Sequence, residues 1–263
     1  MREAAKVFKF NSRSLNIKGR KKMKKLIIGA VIWGMTAGLS LADGHSVVRM
    51  GTEGAYPPWN FVDDNGEIAG FERELGDELC KRAELTCEWV KNDWDSIIPN
   101  LVSGNYDTII AGMSITDERK EKIDFTTNYV MSDPSRYLAA SEGADWKNGV
   151  IAAQSNTIQA SYIAATGATL VEFATPEETI SAVRNGEADA VLADESYLKP
   201  IADEDAGLMF IGDAPIIGGG VGMGIRKSDT DLRNKFTAAI DTMKGDGTLN
   251  ALIKKYEISE QMF

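Results

Sequence analysis

The chain has one histidine, His45, and two cysteines, Cys80 and Cys87, among its 263 residues. One histidine beside a leader-like segment is a poor candidate for a hydrolase triad, which needs a positioned imidazole. Two thiols and that histidine do not complete a tetrahedral zinc shell without carboxylates, so no metal site is expected. Internal repeats and low-complexity tracts are also missing. The one glycine-rich run, Gly218-Gly219-Gly220-Val221-Gly222-Met223-Gly224, lacks a following Lys-Ser/Thr and fits neither G-x-G-x-x-G nor P-loop spacing. It reads as a strand crossing back between domains, where glycine permits close packing and hinge rotation. No cofactor is expected.

Long apolar runs are scarce. The only one, Leu26 to Leu39, follows Lys24-Lys25 and precedes Ser40-Leu41-Ala42. A basic start, an apolar middle and a small-residue end describe a secretory signal peptide. A transmembrane anchor is the rival reading, but the run is glycine-broken and below the ~20 residues that a span needs. We expect a signal peptide over 23–42, cleaved after Ala42. Translation is expected to start at Met23, leaving 1–22 as a miscalled extension. Ten of the 29 basic and one of the 39 acidic residues lie within 1–42, so the remainder holds 19 and 38, a formal net of −19. Such a surface repels nucleic acid and anionic membranes, and neither is an expected partner. It tends to attract small cations, although solubility alone also explains acidity. Export would permit a Cys80–Cys87 disulfide across a gap that can join a helix end to the next strand; two free thiols are the alternative.

Beyond the leader, strands and helices alternate in two successive units. Strands are expected at 47–52, 86–90 and 106–111, with helices over 71–80, 94–103 and 117–122, the last capped by Thr116. The second unit has strands at 150–153, 169–173, 188–193 and 209–211. Its helices run over 157–166, from Pro176 to Arg184 with Thr175 as N-cap, and over 195–202. A glycine-rich strand over 218–226 and helices near 229–244 and 247–256 close the chain. This implies two α/β lobes with mostly parallel sheets and a ligand cleft beyond the carboxyl ends of the strands. Lobe I is expected from 43–132 plus 219–263 and lobe II from 136–215, with a two-strand hinge near 132–136 and 216–219.

Several ordered motifs carry a resemblance. They are Gly51-Thr52-Glu53-Gly54-Ala55-Tyr56-Pro57-Pro58-Trp59-Asn60-Phe61, Gly70-Phe71-Glu72, Ala111-Gly112-Met113-Ser114-Ile115-Thr116-Asp117-Glu118-Arg119, Ala188-Asp189-Ala190-Val191-Leu192-Ala193-Asp194 and Gly245-Asp246-Gly247-Thr248. Over about 43–258 the chain resembles the polar amino acid-binding proteins of bacterial ABC importers, solute-binding protein family 3 of the histidine- and lysine/arginine/ornithine-binding type. The resemblance implies a type II periplasmic binding protein-like fold and a periplasmic location. It also implies a small amino-acid ligand and an ABC permease complex in the inner membrane as partners. A monomer is expected. Cys80 and Cys87 match a disulfide of the histidine-binding branch.

Residue chemistry points the same way, because a zwitterion needs a fixed cation, a fixed anion and neutral donors. The resemblance gives Arg119 the ligand carboxylate, and its planar fork suits that role; a solvated arginine facing Glu118 or Asp124 is the plain alternative. Ser114 adds a hydroxyl, and Gly112, beside Met113, leaves its backbone open to close approach. Asp194, at a strand's carboxyl end, is expected to accept the ammonium and could also cap the helix at 195. Asn156 and Thr157 open a helix whose free N–H groups suit a carboxylate, with Thr157 as second contact. Ser155 stands where the family favours glycine. Tyr56 and Trp94 are expected as apolar walls, though core packing would explain either. Glu53 directly follows the first strand, and the resemblance implies that it pairs with a cationic side chain; a surface glutamate is the alternative. Ile158 departs from the polar residue of histidine-binding relatives, which argues against histidine as ligand. A cyclohexadienyl or arogenate dehydratase on the same fold is the main non-transport alternative. A sensory domain is another, but it is usually tethered to a transmembrane helix and a signalling module, and neither stands within 43–263.

Overall fold

The computed structural model describes residues 47–263. The expected extension, signal peptide and His45 lie outside the described residues. Among those residues no helix is long and apolar enough to cross a membrane, and no cluster of three or more His, Cys, Asp or Glu could hold a metal ion.

The chain opens with β1 (Val48–Thr52), then a small antiparallel layer of β2 (Ala55–Tyr56), β3 (Asn60–Val62) and β4 (Ile68–Ala69). Helix α1 (Phe71–Arg82) follows, then β5 (Cys87–Lys91), α2 (Ile97–Val102), β6 (Thr108–Ile109), α3 (Asp117–Lys122) and β7 (Asp124–Phe125). The second lobe runs β8 (Ser135–Ala139), β9 (Val150–Gln154), α4 (Ile158–Ala164), β10 (Thr169–Phe173), α5 (Pro176–Arg184), β11 (Ala190–Asp194), α6 (Glu195–Glu204) and β12 (Met209–Ile211). The chain then returns to the first sheet as β13 (Gly224–Ile225) and ends in α7 (Thr230–Asp246) and α8 (Thr248–Lys255).

Two five-stranded sheets result, ordered β5-β1-β6-β13-β7 and β10-β9-β11-β8-β12. Both are mixed rather than mostly parallel. Strands β5, β1 and β6 run parallel, whereas β13 is antiparallel to both its neighbours; β10, β9 and β11 run parallel, whereas β8 is antiparallel to both of its own. The antiparallel strands are those that enter or return at a lobe crossing, so their direction is reversed relative to the βαβ units.

Each sheet is covered on both faces. On the first, Leu75 and Leu79 of α1 and Phe236 and Ile240 of α7 pack on one side, and Ile97 and Leu101 of α2 on the other. On the second, Ile180 and Val183 of α5 oppose Ala160 and Ile163 of α4. That double coverage is why β11 reads as the unbroken apolar run Ala190-Val191-Leu192. Local chemistry fixes helix starts. Thr116 accepts from the Arg119 amide at 3.2 Å, and Thr175 and Glu178 form a reciprocal capping box with Pro176 at the first helical position. The Cys80–Cys87 disulfide joins the end of α1 to β5, with Cα atoms 6.3 Å apart.

Three expected elements differ, the strand over 106–111 being reduced to β6, Thr108–Ile109. The helix over 94–103 splits into a 3-10 turn, Trp94–Ser96, and α2, because Pro99 has no N–H to continue it and its ring crowds the carbonyl a turn earlier. The strand over 218–226 shrinks to β13 plus isolated bridges from Val221 to Ser114 and Val130. Gly218 and Gly220 have φ of 81° and 83°, outside the range of an extended strand. The two crossings between the sheets lie against each other: Pro134 bridges Ile216 in antiparallel fashion, and the Ser135 amide donates to the Pro215 carbonyl at 2.9 Å.

Candidate functional site

Four parallel strands end at one place. Glu53 follows β1, the Ala111–Ser114 segment follows β6, Gln154 ends β9 and Asp194 ends β11. Carboxyl ends of parallel strands from both lobes therefore converge, as open α/β sheets arrange their ligand sites. They enclose a cavity of about 30 Å³. Beside it a wider groove of about 980 Å³ opens along α2 and α4. The cavity has room for roughly two waters, and Trp94, Arg119, Thr157 and Ile158 line both it and the groove.

Of the expected site residues, Glu53, Tyr56, Trp94, Gly112, Ser114 and Arg119 line this cavity from the first lobe. Thr157, Ile158 and Asp194 line it from the second. Met113 and Asn156 line only the adjoining groove, although the Asn156 carbonyl is in contact with Arg119.

Arg119 and Asp194 supply opposite charges to one enclosure. The guanidinium is buried, donates to the Ser114 carbonyl at 2.9 Å and to the Asn156 carbonyl at 3.0 Å, and lies 5.2 Å from the centre of the Trp94 ring. Burial lowers its pKa to about 10, against the favourable fields of Glu118 and Asp194. The alternative partner Asp124 is taken by Arg233 at 2.6 Å. Asp194 accepts from the Tyr56 hydroxyl at 2.9 Å and from Gln159 Nε2 at 2.8 Å. Burial raises its pKa to about 6, helped by Asp133 and opposed by Tyr56, Gln159 and Arg119. Among the described residues no ion pair engages either Arg119 or Asp194. A buried cation and a partly buried anion, neither in an ion pair, lie in one cavity and form a complement to a zwitterion, because each lacks the counter-charge that normally offsets loss of solvent.

Glu53 is also buried rather than a surface glutamate. It accepts from Gln154 Nε2 at 2.7 Å across the lobes. Burial raises its pKa to about 7; the Gln154 bond pulls the other way, and the nearby charges of Asp93 and Asp95 add to the rise.

Four sequence expectations change. The Asp194 side chain does not cap α6; its oxygens turn into the cavity instead. The Gly112 amide is not open, because it donates to Glu72 Oε1 at 2.7 Å. The Thr157 hydroxyl accepts from the Ala160 amide at 3.1 Å and donates to the Gln154 carbonyl at 2.7 Å, so a carboxylate must compete for its proton. The left-handed residue after β9 is Asn156, with φ of 58°, and not Ser155; asparagine tolerates that conformation, so serine at 155 carries no strain. Tyr56 is both wall and donor, since its ring stacks on Tyr197 at 4.3 Å while its hydroxyl reaches Asp194.

Sequence reasoning missed Gln154 and Gln159, which hold the two acids, and Ser196, which accepts from Trp59 Nε1 across the lobes at 2.9 Å. Their nearness to the quoted motifs was the only signal. Asn156 and Asp95 make another link between lobes, at 2.9 Å.

Comparison with known proteins places the chain in a family. A family model described as bacterial extracellular solute-binding proteins, family 3, matches residues 48–259. An L-arginine-binding protein of Pseudomonas aeruginosa is 34% identical, over 89% of this chain and 96% of its own length. A lysine/arginine/ornithine-binding periplasmic protein of Escherichia coli is 33% identical, over 89% and 97%. A periplasmic His/Glu/Gln/Arg/opine family-binding protein from Silicibacter pomeroyi, crystallised in complex with lysine, is 71% identical with a TM-score of 0.81, covering 82% of this chain and 100% of that one.

Proposed function

Since the chain belongs to the bacterial extracellular solute-binding proteins of family 3, we propose that the solute it carries is a cationic amino acid, L-lysine foremost. The protein is an amino acid-binding component of ABC import and not an enzyme. The observation that carries the ligand reading is that buried Arg119 and partly buried Asp194 line one cavity without ion-pair partners among the described residues, with Glu53 lining it too. Arg119 would take the ligand carboxylate in place of the Ser114 and Asn156 carbonyls. Asp194 would take the α-ammonium, and Glu53 the side-chain cation. The lysine bound to the Silicibacter pomeroyi relative supports the same choice.

In this reading the open protein meets the ligand on the first lobe, and closure brings Asp194, Gln154 and Gln159 over it. The closed protein then docks as a monomer on its permease. Its relatives include periplasmic proteins. We place this chain in the same compartment, reached through a signal peptide over 23–42.

A thermal-shift and calorimetry panel tests the assignment, with L-lysine, L-ornithine, L-arginine, L-histidine and L-glutamine as ligands. Selective binding raises the melting temperature. The largest rise is expected with L-lysine or another cationic member. A larger rise with glutamine overturns the cationic reading, and no rise with any amino acid overturns the ligand class.

A further inference from the structure

Glu72 lies in the first lobe with no exposed surface, and among the described residues no ion pair engages it. Gly70 makes the approach possible. It has φ of 107°, and a Cβ there would stand 2.7 Å from the carbonyl oxygens of both Pro58 and Trp59. Those two carbonyls accept from the Phe71 and Glu72 amides at 2.9 and 2.8 Å, which fixes the start of α1 beneath the β2–β4 layer.

From that position the carboxylate gathers three donors. The Gly112 amide donates to Oε1 at 2.7 Å, Asn60 Nδ2 donates to Oε2 at 2.7 Å, and the Tyr129 hydroxyl donates to Oε1. Asn60 turns its other end outward, where Oδ1 accepts from the Gly54 amide at 2.7 Å. Gly54 immediately follows Glu53, and Gly112 lies two residues before Ser114. Both glycines have positive φ, 70° and 59°, so neither loop has a regular ladder to set its place. Burial pushes the carboxyl upward in pKa, and the three donors oppose it. Without a cation nearby, those donors are what offsets the cost of a buried acid.

We propose that Glu72 is a positioning residue of the ligand site: it holds the Gly112 amide directly and the Gly54 amide through Asn60, and so sets the spacing between the loop that carries Glu53 and Tyr56 and the loop that carries Ser114 and leads to Arg119. The inference rests on reading the cleft as an amino-acid site. It concerns the two ends of one bound molecule. The Gly54 loop faces the ligand side chain and the Gly112 loop faces its carboxylate, so their separation fixes which length of side chain fits between Arg119 and Glu53.

The direction of the hydrogen bonds allows a rescue experiment. In Glu72→Gln the new amide can keep its oxygen on Gly112 and Tyr129, but its NH₂ then meets the Asn60 NH₂. Turning Asn60 over breaks the bond to Gly54. Adding Asn60→Asp restores every link, since the aspartate accepts from both the glutamine NH₂ and the Gly54 amide. L-Lysine affinity measured by calorimetry is expected to fall about tenfold in Glu72→Gln and to return within about threefold in the double variant, the scale of one unmade buried hydrogen bond. Leu249→Ala, a fully buried change in the same core, serves as control. It should lower the melting temperature and leave lysine affinity unchanged.

Lysine affinity unchanged in Glu72→Gln, or a double variant no better than the single, overturns the proposal. If Glu72→Gln alone does not fold, the double variant carries the test: melting like wild type but binding lysine tenfold more weakly counts against it. Amide exchange reads the network without ligand. The Gly54 and Gly112 amides should both exchange slowly in wild type; in Glu72→Gln the Gly54 amide should quicken while Gly112, still donating to the glutamine oxygen, stays slow, and Asn60→Asp in the double variant should slow Gly54 again, whereas a Gly54 amide that does not respond breaks the proposed chain. Wild type that binds no lysine counts against the ligand reading instead, and the exchange result still decides the role of Glu72.

Discussion

Glu53 Oε1 and Gln154 Nε2 lie 2.7 Å apart, joining an acid of the first lobe to an amide of the second. Gln154 also donates to the Ala174 carbonyl at 3.1 Å, so it presents a fixed donor to the acid only when the lobes are together. Glu53 and Arg119 are buried in that arrangement and Asp194 is partly buried, and the proposed ligand would change the surroundings of all three.

Removing the cation should be the most damaging single change. Arg119→Ala takes away the guanidinium that a ligand carboxylate needs and leaves that carboxylate buried without a partner. The expected loss in lysine binding is about 3–5 kcal/mol, the scale for breaking a buried ion pair. Calorimetry checks it, and an affinity within twofold of wild type would remove Arg119 from the site.

Glu53→Gln should separate ligands by charge. A neutral amide still accepts from Gln154 but offers no counter-charge to a lysine ammonium. Lysine binding is expected to weaken by at least about tenfold, a loss of roughly 1.4 kcal/mol. Binding of a neutral amino acid such as glutamine should change far less. Equal losses for both ligands would contradict the cationic assignment.

The pH dependence follows from the same acids. Burial raises Glu53 to about 7 from 4.5 and Asp194 to about 6 from 3.8. The folded protein therefore holds protons that the unfolded chain releases. Its stability contribution from these groups is full below their ordinary pKa values and is lost as pH rises through 6 and 7. A cationic ligand reverses the preference, because it favours the ionised acids. Lysine should thus bind more weakly at pH 5.5 than at pH 8 and should raise the melting temperature more at the higher pH, with Glu53→Gln reducing the slope. A flat affinity profile over this range would show that neither acid changes protonation on binding.

Ser196→Ala tests closure without touching the ligand. Trp59 Nε1 is buried against the Ser196 hydroxyl at 2.9 Å across the lobes. Removing the acceptor strands that N–H only in the closed form, since separation exposes it to water. The expected cost is about 1–2 kcal/mol, or roughly tenfold in Kd, with the ligand preference order unchanged. A changed preference order would place Ser196 in the ligand shell instead.

The disulfide should matter to stability and not to binding. It closes a short loop between α1 and β5, with a sequence separation of 7. Replacing both cysteines by serine should cost about 2–3 kcal/mol on the loop-entropy estimate. Denaturant titration measures that loss, and lysine affinity measured below the transition should remain as in wild type.

Much of the candidate site was legible in the sequence through the motifs that resemble family 3, which imply the roles of Arg119 and Glu53, while Asp194 was also marked by its place at a strand end. Glu53 directly follows β1 and Asp194 ends β11, and ligands in α/β sheets bind at such strand ends. Helix starts were legible for a similar reason: Thr116 and Thr175 are local caps whose chemistry is complete within three residues. What escaped was non-local. Gln154 and Gln159 act through partners 101 and 35 residues away, and no short pattern encodes such distances. Strand β8, Ser135–Ala139, has no polar alternation because it is buried on both faces, and β2, β3 and β4 are too short to show a period. Gly112 was legible as a point of close approach, but not the acid its amide binds, because Glu72 lies 40 residues earlier.

The paired crossings at Pro134–Ser135 and Pro215–Ile216 form a narrow ribbon. Such a ribbon flexes across its flat face and resists sliding in its own plane, so it leaves the two halves essentially one angular freedom. The whole progress from empty to loaded then collapses onto a one-dimensional coordinate. A permease contacting both halves can sense occupancy by measuring a gap, with no need to touch the cargo.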